Sequence, residues 1–275
     1  HDKQEKKAVQ VEEGNRVSGA IANTIGRVIG LPHVLISSDT LRDSRKSKDE
    51  YTQHAKALEK VRPQELNDVM VRLSGPRPID DLKRVWQNRR TGPIGKVLGS
   101  LTTPLVDIAA PFMRMDHYNQ ASNTVNLFSR NKAILEHELG HAMDSNRNKV
   151  PEGFWRRQLQ GTSNDLYGMT YATPPGVLHH EMEANLKSQL AVEEALKNKK
   201  DELKERNADR VSTLTPAFSS YLTPMGLPGL GAVAGTKLVS MLAAHRMRNA
   251  QKKQGDKQAV KASSFLGLLA RKAGV

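Results

Sequence analysis

The chain has 275 residues, 37% hydrophobic and 26% charged, which fits a folded protein of one large domain and excludes a wholly disordered one. It contains no cysteine, so disulfides and thiolate ligands are excluded and any metal must be held by His and carboxylate. A formal net charge of +13 serves solubility and equally favours partners that carry phosphate, anionic lipid or acidic protein surface.

The chain opens at His1 with no initiator Met, as a processed chain or a fragment does, and a removed targeting peptide would explain this. Residues 1–16 read as a flexible charged arm. Residues 17–36 mix apolar residues with Gly19, Gly26, Gly30 and Pro32, and predict a small-residue helix followed by a short strand, Val34-Leu35-Ile36. Residues 38–48 are a charged linker. From Lys48 to Arg62 the residues Tyr51, Ala55, Leu58 and Val61 recur about one turn apart, which predicts a helix. Pro63 suits the first turn of a second helix running to Leu73, with Gly75-Pro76 as its stop. A third helix is predicted over Ile79–Arg90, where Asp80 and Asp81 at the start and Arg89 and Arg90 at the end complement the helix dipole. Residues 17–113 thus read as a helical N-terminal region.

Residues 94–113 are weakly apolar but carry Lys96, Asp107 and two prolines, and residues 222–244 are similar, with Gly226, Gly229, Gly231 and Gly235. Small residues at such spacings permit close helix contact, which is frequent in membranes. Both segments fit either buried helices of a soluble or peripheral domain or embedding in a membrane. Lys96, Asp107 and Lys237 would each cost on the order of a few kcal/mol near a bilayer centre, so shallow or protein-covered burial is expected rather than full spanning.

Residues Thr124–Phe128 alternate and predict a strand. A helix follows over Lys132–Asp144, capped by Ser129 or Asn131. Residues 163–176, with Gly168 and Pro174-Pro175-Gly176, read as a loop. A long helix is then predicted over Val177–Asn207, its second half charged on all sides and expected to project into solvent or against a partner. Residues 211–275 hold the glycine-rich apolar segment, a basic tail, and a short apolar stretch at Phe265–Ala270.

The chemistry concentrates in Ile134-Leu135-Glu136-His137-Glu138-Leu139-Gly140-His141-Ala142-Met143-Asp144. Residues four apart on a helix share a face, so His137 and His141 can aim ring nitrogens at one zinc ion. Asp144 falls on that face one turn on, while Leu135, Leu139 and Ala142 fall opposite and would anchor the helix. Glu138 lies to one side, within reach of a zinc-bound water. Catalytic zinc commonly takes two His, a carboxylate and water, and a carboxylate is supplied by Glu181 in Glu181-Met182-Glu183-Ala184-Asn185. Glu183 is an alternative, but only Glu181 leaves Asn185 one turn away, where it can accept a hydrogen bond from a liganding histidine. Ala184 would let the two helices approach closely. His179, His180, Tyr167, Tyr171 and Tyr221 are either structural or stabilisers of an oxyanion.

This pair of motifs resembles the gluzincin class of zinc peptidases, the thermolysin-like and neprilysin-like enzymes. These carry a His-Glu-x-x-His helix and a downstream helix with Glu followed four residues later by Asp. The match is closest to the neprilysin-like pattern, in which an Asp lies three residues after the second His, the place Asp144 takes. Asn185 stands where Asp is usual. A metzincin pattern needs Gly at position 144 and His or Asp at 147, and Asp144 and Arg147 exclude it. The resemblance spans Tyr118 to Asn185. It implies an α+β, mainly α-helical chain with a zincin-like metallopeptidase core over 114–210, a small sheet and helical extensions. It also implies one Zn2+ held by His137, His141 and Glu181, with Asp144 and Asn185 in support. The implied reaction is peptide-bond hydrolysis by zinc-activated water, with Glu138 as general base. Such enzymes place an edge strand that pairs with extended substrate where Thr124–Phe128 lies, although an ordinary sheet strand fits equally.

A second reading keeps the fold as a structural or accessory subunit of a larger assembly, membrane assemblies included, with little or no catalysis. A third, nucleic-acid binding, has charge in its favour but no recognisable module and few aromatic residues for stacking. The partners expected are therefore a polypeptide substrate or partner subunits, with anionic lipid or a membrane protein against the apolar segments. A membrane-associated location, mitochondrial or in a bacterial envelope, is expected.

Overall fold

The computed structural model describes residues 8–14, 47–113, 116–129 and 131–222. The helix and strand expected over 17–36, and the glycine-rich segment and basic tail beyond Leu222, lie outside the described residues. The protein is α+β and mainly helical, with a small mixed four-stranded sheet. In chain order the elements are β1 (Gln10–Glu13), α1 (Lys48–Val61), β2 (Met70–Leu73), α2 (Pro78–Gln87), α3 (Pro93–Met113), β3 (His117–Asn119), β4 (Thr124–Leu127) and α4 (Lys132–Ser145). There follow α5 (Phe154–Met169), a 3-10 turn (Thr170–Ala172), α6 (Pro174–Ala195) and α7 (Lys200–Leu222).

The strand order is β1-β2-β4-β3. β1, β2 and β4 run parallel, with Val11, Val71 and Val125 in register, and β3 closes one edge antiparallel to β4. One face of the sheet presents Val11, Val71, Leu73, Val125 and Leu127 to Tyr51, Ala55 and Leu58 of α1 and to Leu135, Leu139 and Met143 of α4. This is the main core, and the one-turn spacing of apolar residues in α1 is what aims that helix at it.

Four sequence expectations change here. The arm is a strand at its C-terminal end: Val9 and Val11 are buried, and their alternation with Gln and Glu conceals a two-residue apolar signal. The helix expected from Pro63 to Leu73 is instead a set of turns followed by β2. Asp68 takes a left-handed backbone conformation, φ 64°, that breaks any helix, and Val69, Val71 and Leu73 then alternate into the core. The loop expected over 163–176 is the end of α5, a 3-10 turn and the start of α6. Pro174 starts a helix here rather than ending one, behind Thr173, whose hydroxyl accepts from Gly176 N–H. Finally, the single helix expected over Val177–Asn207 is two, broken at residues 196–199.

The opposite face of the sheet is polar yet covered by α2 and α3. Arg72 Nη2 lies 2.8 Å from Asp81 Oδ1 of α2, and Thr124 donates to the same oxygen at 3.2 Å. Asp107 of α3 sits beside Asp81, with His117 Nε2 at 3.9 Å. Asp81 Oδ2 and both Asp107 oxygens are buried without a hydrogen-bond partner among the described residues. α3 is one continuous helix, but no helix among the described residues is long and apolar enough to cross a membrane.

Burial, opposed by the Arg72 guanidinium and reinforced by Asp107, pushes the Asp81 carboxyl up to about 6. The fold therefore holds a proton that the unfolded chain releases, and this group's contribution to stability falls as pH rises from the ordinary carboxylate range through about 6. Asp107→Asn removes the neighbouring charge. We expect its melting temperature, relative to wild type, to rise between about pH 4 and about pH 7. A difference independent of pH in thermal unfolding would show that the two carboxyls do not interact.

Candidate metal centre

Helix α4 begins at Asn131, whose side chain accepts from the backbone N–H of Ala133 and Ile134. Two turns on, His137 and His141 face Glu181 and Asn185 of α6. The two helices meet backbone to backbone: a Cβ at Gly140 would overlap the Ala184 carbonyl, and Ala184 is itself fully buried. This approach brings Glu181 and Asn185 opposite the histidines.

His137, His141 and Glu181 are all buried and offer donor atoms within 4.8 Å of one another, a group that could hold a metal ion. His137 Nε2 and His141 Nε2 are 3.2 Å apart. Glu181 Oε2 lies 3.0 Å from the first and Oε1 3.4 Å from the second. Ligands about 2.0–2.1 Å from a tetrahedral centre are separated by roughly 3.3–3.4 Å, so the donor set has the dimensions of such a site. Glu183, the alternative carboxylate, is not in this group.

The outer ring nitrogens have partners of their own. His137 Nδ1 is 3.1 Å from Asn185 Oδ1, an atom that can only accept. His141 Nδ1 is 2.8 Å from the hydroxyl of Tyr171. A cation held there would require Nδ1 protonated on both rings, with Asn185 and Tyr171 accepting and both Nε2 lone pairs free for it. Burial alone would raise the Glu181 pKa, but its contacts with His137 and His141 outweigh this and hold it down at about 2. Burial would likewise lower that of His137, and the bond to Glu181 with the charges of Glu138 and Glu181 raises it instead.

Glu138 is buried on α4, and its charge acts on His137 and Tyr171. It acts also on Asp116, which burial raises to about 6 against hydrogen bonds from Ser129 and Phe128. Asp144 stands one contact further out than the sequence motif implies. It accepts from Tyr167 at 2.6 Å, pairs with Lys187 at 2.9 Å and lies 3.4 Å from His180 Nδ1. His180 is fully buried, bonds Thr170 through Nε2 at 2.6 Å, and stacks on Tyr171 with ring centroids 3.7 Å apart. Asp144 thus braces the histidine that braces the tyrosine beside His141. Tyr167 and His179 bond each other at 3.3 Å, and the side chain of Tyr221 lies outside the described residues.

Sequence reasoning named Asn185 and Asp144 as support and Tyr171 only as one of five oxyanion candidates, and it missed the ion cluster behind α4. Glu136, next to His137, is fully buried and points the other way. Its Oε1 accepts from Arg206 Nη2 at 2.7 Å and lies 2.8 Å from His54 Nε2, while its Oε2 accepts from Arg210 at 3.0 Å. Arg210 also donates to Asn185 O at 3.1 Å and Ser188 Oγ at 2.7 Å. The charged helix expected to project outward thus turns two arginines inward. Burial would raise the Glu136 pKa, but His54, Arg206 and Arg210 outweigh it and hold it at about 2.

Beside the centre, a cleft of about 350 Å³ runs between α3, β3 and the end of α5, lined by Leu98, Val106, His117, Tyr118, Met169 and Tyr171 among others. Tyr171 belongs to both the cleft and the centre. β4 is not a sheet edge: it lies between β2 and β3, fully buried, and the edge that borders the cleft is β3.

Glu136→Ala would leave Arg210 and much of Arg206 buried without a counter-charge. We expect a loss of about 3–5 kcal/mol in urea unfolding, and a loss below about 1 kcal/mol would show that the arginines find other partners. Comparison of this chain with protein-family profiles, curated proteins and solved structures gives no match, so the likeness to gluzincins rests on the paired motifs and on the site they build.

Proposed function

We propose that the protein is a zinc-dependent peptidase with a zincin-like core, in which His137, His141 and Glu181 hold the metal and Glu138 is the general base. The observation that carries this reading is the convergence of two Nε2 atoms and one carboxylate at ligand spacing, each histidine held from behind by a hydrogen-bond partner. Zinc is supported by the imidazole and carboxylate donor set without thiolate, a set that catalytic zinc commonly takes.

Zinc bound there would supply Lewis-acid activation of water and of a carbonyl. The remaining work falls to the chain's own side chains. Glu138 takes a proton from the attacking water and returns it to the leaving amine. Burial and the charges of Glu181, Asp144 and Glu138 push the Tyr171 hydroxyl well above its ordinary pKa, so it stays protonated and keeps its place against His141. β3, the edge strand that borders the cleft, takes the role that the sequence reading offered β4: an extended peptide adds along it. Asn185 replaces the usual Asp behind His137. A neutral amide orients the ring as a carboxylate does but adds no charge, so the metal is held with less electrostatic support from behind.

The test combines metal analysis with peptide hydrolysis. We expect about one zinc per chain in wild type and in Glu138→Gln, with hydrolysis of a generic peptide reduced about 100-fold or more in the variant. His141→Ala should lose the zinc. Wild-type protein that takes up no zinc, or a Glu138→Gln variant as active as wild type, would overturn the reading.

A further inference from the structure

Helix α3 is turned inside out relative to an ordinary surface helix. Its inward side carries Gly99, Thr103, Asp107 and Ala110, all buried. Its outward side carries Ile94, Val97, Leu98, Leu101, Leu105 and Ile108, with Leu101 64% and Leu105 68% exposed. These six recur at i, i+3, i+4 and i+7, a continuous stripe along a helix of 21 residues, about 30 Å long. Helix α5 repeats the inversion. Gly161 and Asp165 face inward, where Asp165 accepts from Gly92 N at 3.0 Å and Gly95 N at 2.8 Å at the start of α3. Trp155, Leu159 and Leu166 face outward, Trp155 at 77% exposure.

The charges follow the same division. The acidic residue of each helix, Asp107 or Asp165, is buried, so the charges that reach the surface of the two helices are all basic: the exposed Arg156 and the half-buried Lys96 and Arg157. Lys149 and Arg147 add to them in the preceding connection, where Glu152 is the one exposed acid. Phe154 and Trp155 are packed edge to face at 5.2 Å directly before the Arg156-Arg157 pair. Aromatic rings next to arginines suit the headgroup layer, where the ring enters the apolar boundary and the guanidinium stays with phosphate. Leu98 and Met169, one from each stripe, both line the cleft, so the two apolar faces meet at its rim.

We propose that the outward faces of α3 and α5 form an interfacial docking surface for an anionic lipid bilayer, lying in the plane of the membrane with the cleft rim at the lipid–water boundary. A bilayer is favoured over a protein partner because lipid requires only apolar area and positive charge, and these two stripes, joined at the cleft rim, supply both. The net charge of +13 acts in the same direction.

The test uses the full chain and vesicles of phosphatidylcholine with about 30% phosphatidylserine at low salt. Trp155 is read in a Trp86→Phe background, since these two are the chain's tryptophans. We expect sedimentation with the vesicles and a blue shift of Trp155 emission, both weakened when phosphatidylserine is omitted or salt is raised to about 0.5 M. Leu101→Ser with Leu105→Ser should weaken binding at least about 10-fold with an unchanged melting temperature, because both side chains already face outward. Arg156→Glu with Arg157→Glu is the second variant and should abolish the preference for anionic lipid. Equal binding of these variants and wild type would place the lipid contact elsewhere in the chain and overturn the proposal. So would unshifted Trp155 emission, or a stable homodimer closed over these helices that ignores vesicles.

Discussion

The arrangement of the centre depends on one buried carboxylate. Glu136 stands beside His137 in sequence and on the opposite side of the helix in space, so the contacts that neutralise it also fix how α4 is rotated. Its partners come from α1 (His54) and α7 (Arg206 and Arg210). Arg210 continues to the backbone of Asn185 and the hydroxyl of Ser188, and so joins α6 to the same charge. A buried ion cluster of this kind contributes little net stability against an apolar substitute, but it is costly to break and it specifies one packing among several. Here the packing it specifies is the rotation of α4 against α6, on which the spacing of His137, His141 and Glu181 rests.

The centre was largely legible in the sequence because its donors sit on helices, where spacing and direction are coupled. Once His137 and His141 share a face, a carboxylate with Asn four residues on is a recognisable complement, and Glu181 is where the structure places it. What was illegible was set by distant partners. Glu136 reads as one more charged residue until Arg206 and Arg210 are known to reach it, and a helix charged on all sides gives no hint which charges turn inward. Tyr171 fell in a segment read as a loop because of Pro174-Pro175-Gly176, although proline at the first turn is a helix start. Strands were the weakest reading. β1 and β2 are four residues each, too short for alternation to compete with the polar composition around β1 or with the proline that suggested a helix before β2.

The sheet carries two environments on its two faces. The Val and Leu face makes the main core with α1 and α4. The other face is polar and is nonetheless sealed, with Arg72, Asp81, Asp107 and Thr124 buried under α2 and α3. Placing the polar side of α3 against this layer leaves only its apolar side to face outward. The exposed leucines of α3 are therefore a consequence of how the sheet is built, and an ordinary amphipathic α3 would strand Arg72 and Asp81 against leucine.

The contact between Gly140 and Ala184 would couple any ion held by His137, His141 and Glu181 to folding. Because the two backbones touch there, α4 and α6 are either fully docked or separated by more than a side chain, and a loosely docked pair presents three donors too far apart to share one ion. An ion taken up there would bind the native state alone, and by mass action would withdraw chains from every looser one. Its supply in the surroundings would then set the lifetime of the folded chain, and a scarcity would register first as turnover of the protein.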